Sequence, residues 1–299
     1  MKVSVIMCTY NGAAFLQAQL QSIVAQTYPL LELLIFDDCS TDESFTILQN
    51  FATHHSFVQC FQNPTRLGFT KNFEQALLKA NGNVIAIADQ DDIWLPTKIS
   101  DLIAVWQPDS PLVYCDSQRF SGTPPTHAQP AKNYRRFQGH QPEQLFFFNT
   151  ISGHALLVKK DFLKNVLPFS EGIYYDWQMA VTACQHGGVQ YLPKTLVLQR
   201  VHGNNESIDT QDDKESFLRY RQQVAQHLQF FVQRASLPPH TATLATQLAH
   251  FLQNTQPSTA QKWQGFVRIW WHAATLFHYK KRLFPYFSYI KHAYKWAFT

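Results

Sequence analysis

The stretch Val3-Ser4-Val5-Ile6-Met7-Cys8-Thr9-Tyr10-Asn11-Gly12 decides the fold class. Val3–Cys8 is a largely continuous apolar run, the pattern of a strand covered on both faces, as in parallel sheets flanked by helices. Thr9–Gly12 breaks that run, and Leu16, Leu20 and Ile23 then mark one helical stripe that ends near Tyr28-Pro29. The pattern repeats downstream. Leu33–Phe36 reads as a second strand closing on Asp37-Asp38, with Ser40 or Thr41 placed to cap a helix to about Ala52. Val58–Phe61, Val84–Ala88 and Leu112–Cys115 are further strands, with helices over Asn72–Ala80 and Lys98–Trp106 between them. Such alternation means βαβ units and an α/β fold with a mainly parallel sheet.

Regularity is interrupted over residues 116–148, where Pro124-Pro125, Pro130 and Pro142 suggest a loop-rich flap over a site. It returns with strands at Ala155–Val158, Val189–Leu192 and Leu196–Val201, and a helix over Asp176–Gln185 stopped by Gly187-Gly188. From about Asp212 only helical signals remain: Phe217–Arg234, Thr241–Gln253 and most of Lys262–Phe298. The expected division is residues 1–210 and a helical region over 211–299.

The 299 residues are 45% apolar, enough for a sizeable core, and no apolar run is long enough to span a membrane. Met1-Lys2 leads straight into the first strand without a cleavage site, so no signal peptide is expected. Five scattered cysteines without a CxxC pair fit reduced thiols in a cytoplasmic protein. The net charge of +4 conceals an asymmetry. Residues 216–299 hold ten Lys/Arg and no acid, which leaves the body at −6.

Three polar clusters fall at strand ends, where a parallel sheet binds ligands: Thr9–Gly12, Asp37-Asp38 and Asp89-Gln90-Asp91-Asp92. Five carboxylates on one sheet edge repel one another unless a cation joins them. A hard divalent ion, Mg²⁺ or Mn²⁺, suits such oxygen ligands and brings substrate phosphates with it. Neither GxGxxG after the first strand nor GxxxxGK[ST] is present, which removes the dinucleotide and P-loop readings. HExxH and GxSxG are absent too.

The blocks Val3–Gly12, Gln26–Pro29, Glu32–Asp42, Asn63–Asn72 (NPTRLGFTKN), Asp89–Pro96 (DQDDIWLP) and Arg200–Asn205 (RVHGNN) stand in order over about two-thirds of the chain. Together they resemble family 2 glycosyltransferases. The resemblance implies a GT-A fold and inverting transfer of a sugar from a nucleotide diphosphate to an acceptor hydroxyl. It implies that Thr9, Tyr10, Asn11, Asp38, Asp89 and Gln90 hold the nucleotide, with Arg66 and Lys71 beside the diphosphate. Asp91 and His202 would hold the metal. Asp92, Trp94, Gly153, His154, Tyr175, Trp177 and Arg200 would line the donor and acceptor pocket, and Asp176 would be the general base. The form DQDDIW resembles transferases of surface-polysaccharide assembly, whose acceptors are glycans or lipid-linked glycans. A non-catalytic scaffold on the same nucleotide fold is the alternative; a sugar nucleotidyltransferase fits less well, because Thr9–Gly12 lacks a Gly-rich basic loop.

Residues 263–299 carry 13 aromatics, four of the seven Trp, and no acid. Leu283, Phe287, Ile290 and Tyr294 form a helical stripe flanked by Lys291 and Lys295. Snorkelling lysines and interfacial aromatics suit an anionic membrane surface, so a peripheral place on the cytoplasmic face of the inner membrane is expected. Packing onto the catalytic body, or a homodimer interface, is the competing use. Nucleic acid is not expected, because the body offers no nucleic-acid motif.

Overall fold

The computed structural model describes residues 1–130, 134–203, 214–280 and 285–299. Its strands are β1 (Val3–Thr9), β2 (Glu32–Asp37), β3 (Val58–Gln62), β4 (Val84–Ala88), β5 (Ile93–Trp94), β6 (Leu112–Phe120), β7 (Leu156–Lys159) and β8 (Val189–Arg200). Its helices are α1 (Ala13–Val24), α2 (Ser44–Thr53), α3 (Phe69–Lys79), α4 (Lys98–Val105), α5 (Tyr175–Ala183), α6 (Lys214–Arg234), α7 (Pro239–Gln253), α8 (Thr259–Trp271), α9 (Ala273–Leu276) and α10 (Pro285–Phe298). All strands join one sheet in the order β3-β2-β1-β4-β7-β6-β8-β5. The first four in that order are parallel, β7 is antiparallel to both neighbours, and β6 and β8 run parallel.

Burial follows the sequence pattern. All six residues of β2 and all five of β4 are buried, as two-sided covering requires. One face packs Val5, Met7, Leu33 and Ile35 against Leu16 and Leu20 of α1, Leu48 of α2, and Ile99 and Leu102 of α4. The other packs Ile6, Ile85 and Ile87 in a cluster that continues through α5 to Leu228 and Phe231 of α6, Leu248 of α7 and Trp296 of α10. The C-terminal helices therefore share a core with the sheet, and the expected 1–210/211–299 division was read from composition and charge. Its boundary falls within residues 204–213, outside the described residues.

Three local expectations change. The second helix starts at Ser44, because the residues before it sew the β2 loop to the β1–α1 turn instead of capping. Asn11 has φ 49° and accepts from the Thr41 amide through Oδ1 at 2.8 Å; Ser40 Oγ accepts from the Asn11 amide at 2.9 Å. Those bonds offset a left-handed backbone that costs ~1–3 kcal/mol at a non-glycine residue. Next, among its described residues the 116–148 segment lines no part of the cavity described below. β6 runs on to Phe120, while Phe137, Leu145, Phe146 and Phe147 are buried, so its prolines break periodicity without preventing burial. Finally, among the described residues the last stretch divides into α8, α9 and α10; α8 begins at a capping box in which Ser258 and Gln261 satisfy each other's backbone amides. Among the described residues no helix is long and apolar enough to cross a membrane.

Candidate functional site

The carboxyl ends of β1, β2 and β4 open into one cavity of about 520 Å³, within the usual range for small-ligand sites. Its wall includes Thr9, Tyr10, Asn11, Asp38, Arg66, Asp89, Gln90, Asp91 and Asp92. Gly153, His154, Tyr174, Tyr175, Asp176 and His202 line it as well. The expected site residues thus converge, with four exceptions. Lys71 is solvent-exposed and pairs with Glu171 at 3.2 Å. Trp94 is buried beneath the site under the Lys98 ammonium. Trp177 is a core residue: its indole N–H donates to the Leu145 carbonyl at 2.7 Å and its ring meets His227 of α6. Arg200 braces the wall from behind, donating through Nε to the Asp91 carbonyl at 3.1 Å and through its amide to Asp92 Oδ1 at 3.2 Å. Asn204 and Asn205, the end of the RVHGNN block, lie outside the described residues.

Several strand-end residues build the wall before they could meet a ligand. Asp37 is fully buried and accepts from Thr9, Ser40 and Gln62. Asp38 accepts from the amides of Leu67 and Gly68 and from Asn63 Nδ2, each at 2.8 Å. It thereby fixes the loop that lays the Arg66 guanidinium 3.9 Å from the Tyr10 ring centre. Gln90 clamps the Tyr10 backbone twice, accepting its amide at 2.9 Å and donating to its carbonyl at 3.2 Å. A Cβ at Gly12 would sit 2.3 Å from Gln90 Oε1, so a side chain there would have to displace the Gln90 amide from the Tyr10 backbone.

The remaining carboxylates form two groups. Asp91 Oδ2 lies 2.7 Å from His202 Nε2, and the His202 ring stacks on Phe15. Burial and the neighbouring Asp89 push the Asp91 carboxyl above its ordinary range, with His202 pulling the other way. Asp89, Asp92 and His154 form the second group, their ligand atoms all within 4.8 Å of one another. His154 Nδ1 is 3.1 Å from Asp89 Oδ2 and 3.4 Å from Asp92 Oδ2. Burial opposes a charge on His154, but Asp92 and Asp89 draw its pKa up; burial raises that of Asp92. Among the described residues, Asp92 Oδ2 and His154 Nε2 are buried without a hydrogen-bond partner. An edge of crowded oxygen donors with an orphaned carboxylate oxygen fits a hard divalent cation.

Facing this edge, Asp176 stands in the first turn of α5. Its carboxylate accepts from the Gly153 amide at 3.1 Å and Asn149 Nδ2 at 3.2 Å. Burial nevertheless pushes its pKa up to about 6. Tyr175 packs so closely that a Cβ at Gly153 would lie 1.9 Å from its hydroxyl oxygen. Two residues escaped sequence reasoning. Asn149 follows a Phe-rich run that reads only as core, and nothing local ties it to Asp176. Lys98, at the start of α4, reads as a solvent-facing charge; it is fully buried, and burial lowers its pKa to about 7.

The profile described as "Glycosyl transferase family 2" matches residues 4–167, more than half of the chain. Among relatives, UDP-Glc:alpha-D-GlcNAc-diphosphoundecaprenol beta-1,3-glucosyltransferase WfaP of Escherichia coli is 37% identical over 101 residues, covering 34% of this chain and 39% of that protein. Staphylococcus aureus TarS 1-349 with UDP-GlcNAc superposes with a TM-score of 0.62 at 15% identity, covering 99% of this chain and 90% of that one. Mannosyltransferase PcManGT from Pyrobaculum calidifontis with GDP-Man and Mn²⁺ gives 0.58 at 18% identity, covering 99% and 84%. At such identities the two structures carry the fold, which is of the GT-A type, and the family rests on the profile match. With the strand-end clusters gathered into one cavity, the chain belongs to glycosyl transferase family 2 and is a glycosyltransferase.

Proposed function

We propose that the chain transfers a sugar, with inversion, from a nucleotide-diphosphate sugar to a hydroxyl of a glycan or lipid-linked acceptor in surface-polysaccharide synthesis. The observation that carries this reading is that Asp176 lines one cavity together with the Asp89–Asp92 edge. Asp91 with His202 would hold a divalent cation, Mn²⁺ or Mg²⁺, beside Asp89. When bound, that cation supplies Lewis-acid stabilisation of the departing diphosphate. The chain's own residues do the rest. Thr9–Asn11 and the Asp38 loop, with Arg66 over Tyr10, form the nucleotide end of the cavity. The Asp176 carboxylate takes the proton from the acceptor hydroxyl as its oxygen bonds to the anomeric carbon and the bond to the diphosphate breaks. A pKa near 6 keeps it ionised at neutral pH yet basic enough to accept. TarS and PcManGT are solved with UDP-GlcNAc and with GDP-Man and Mn²⁺, and the name of WfaP places a lipid diphosphate on its acceptor; each supports the corresponding part of this reading. Release of nucleoside diphosphate from a panel of UDP-, GDP- and dTDP-sugars, with and without Mn²⁺, tests it. A scaffold would bind a donor and turn none over.

The same proposal places the protein peripherally on the cytoplasmic face of the membrane. Trp263, Val267, Trp270 and Trp271 are exposed along α8, and Tyr286, Phe287, Ile290 and Tyr294 along α10. Trp263 and Tyr294 both pack on Phe298, which joins the two stripes into one apolar face. Exposed Lys291 and Lys295 border it, and no acid follows Glu215 in the sequence, so its charge complements anionic lipid. Leu283, expected on that stripe, lies outside the described residues. Co-sedimentation with phosphatidylglycerol vesicles is expected and with phosphatidylcholine vesicles is not. Dimerisation through this face without vesicle binding would replace the membrane with a second copy.

A further inference from the structure

Lys98 carries a buried amino group that the proposed reaction does not use. It opens α4, where Ser100 and Asp101 on the same turn keep contact with solvent, yet its side chain is 0% exposed among Trp94, Ile99 and Leu102. An ammonium taken out of water is costly unless it is tightly held. Among the described residues it makes no ion pair within 4.0 Å. Its Nζ instead donates to the His154 carbonyl at 2.6 Å and lies 3.2 Å from the Trp94 ring centre.

The peptide it grips is the joint of the cavity. The Gly153 amide donates to Asp176 Oδ2, and one residue later the His154 ring reaches Asp89 and Asp92. The 153–154 segment therefore touches both sides of the cavity at once, the carboxylate edge and the carboxylate opposite. Tyr175 presses on Gly153 from the cavity side, and Cys115 Sγ contacts the Ala155 carbonyl at 3.4 Å from below. Lys98 is the side-chain anchor of that joint, and it acts through backbone without lining the cavity wall.

We propose that Lys98 is a positioning residue: its ammonium, bonded to the His154 carbonyl, fixes the 153–154 segment and so sets Asp176 relative to the Asp89–Asp92 edge. The inference rests on the reading of Asp176 as the base. A misplacement near 1 Å at a reacting group costs on the order of 10²-fold in rate, whereas the Tyr10–Asn11 turn and the Asp38 loop are held by their own bonds to Gln90, Thr41 and Leu67.

The test is K98M, which keeps the length of the side chain without charge or donor, with K98R as the conservative variant. For K98M we expect kcat to fall about 10- to 100-fold with donor KM within about twofold. The Gly153 backbone amide should also shift in ¹H–¹⁵N spectra in the direction seen for D176N. K98R is expected to return both kcat and the Gly153 amide toward wild type. Unchanged kcat, an unmoved Gly153 amide, or parallel losses in donor affinity and thermal stability would each overturn the positioning role, the last by showing a merely structural one. Should K98R fail to fold, the K98M readings decide alone. Should the wild type transfer no sugar from any donor, the catalytic reading fails by itself, and the Gly153 amide still reports whether Lys98 holds the joint.

Discussion

The sheet edge and the C-terminal helices carry opposite charge and hold it in opposite ways. At the edge, Asp37, Asp38 and Asp92 are each under 5% exposed, accepting amides and side-chain donors or facing one another across His154. At the C-terminus, Lys291 and Lys295 stay in solvent and the aromatics divide. Trp296 is 4% exposed and stacks on Phe147 at 4.2 Å, whereas Trp271 on the same helical pair is 78% exposed. Buried charge in a protein costs free energy and persists where geometry over-determines it; surface charge beside exposed aromatics costs little and tunes contact with another surface. The first region is the one we propose for chemistry, and the second the one we propose for association.

The comparison can be broken most sharply at Asp91. D91A removes the carboxylate to which the proposal assigns the cation, and we expect turnover to drop by ~10³-fold or more, with the Mn²⁺ response lost. Full Mn²⁺-dependent activity in D91A would move the metal to the Asp89–Asp92–His154 group. Next in size is the split within the C-terminal aromatics. W296A should cost ~3–5 kcal/mol in denaturant unfolding because it empties a packed site, while W271S should stay within ~0.5 kcal/mol. Similar losses for the two would mean that the exposed face is not a separate surface. Smaller still, W271S with F287S should lower partition to anionic vesicles by ~10-fold and leave kcat on a soluble acceptor unchanged.

The smallest effect is in pH. Asp176 must be ionised to take a proton, and burial raises its pKa to about 6. kcat/KM should therefore fall below about pH 6 and level off above it. An acid limb near 4, the ordinary carboxylate range, would show that Asp176 is not the titrating group.

How much of this was legible depended on whether the signal was local. Strands β1, β2 and β4 were readable because unbroken apolar runs have no other use in a short α/β segment. β5, two residues long, carries no period at all, and the end of β6 was hidden by Asp116 and Arg119. Asp116 is nonetheless buried against Arg136 and Tyr191, a satisfaction supplied from 20 and 75 residues away. The site divides in the same way. The acidic motifs announced themselves as clusters at strand ends, but Trp94 and Trp177 were drawn into the cavity by adjacency, and the backbone turns both into the core. Asn149 and Lys98 were invisible because each acts on a residue that only the tertiary fold brings near. Asp38 shows a residue found for the right place with more work to do: before any base could reach it, it already orders residues 67–68.

The central claim is that the two sides of one cavity divide the labour, the Asp89–Asp92 edge binding and Asp176 performing proton transfer. The most direct test compares wild type with D176N under Mn²⁺, measuring nucleoside-diphosphate affinity by calorimetry and transfer under single turnover. The account predicts affinity within about twofold and transfer slower by ~10²–10⁴-fold, the usual contribution of a general base. Transfer by D176N at the wild-type rate, or affinity lost together with rate, would contradict it.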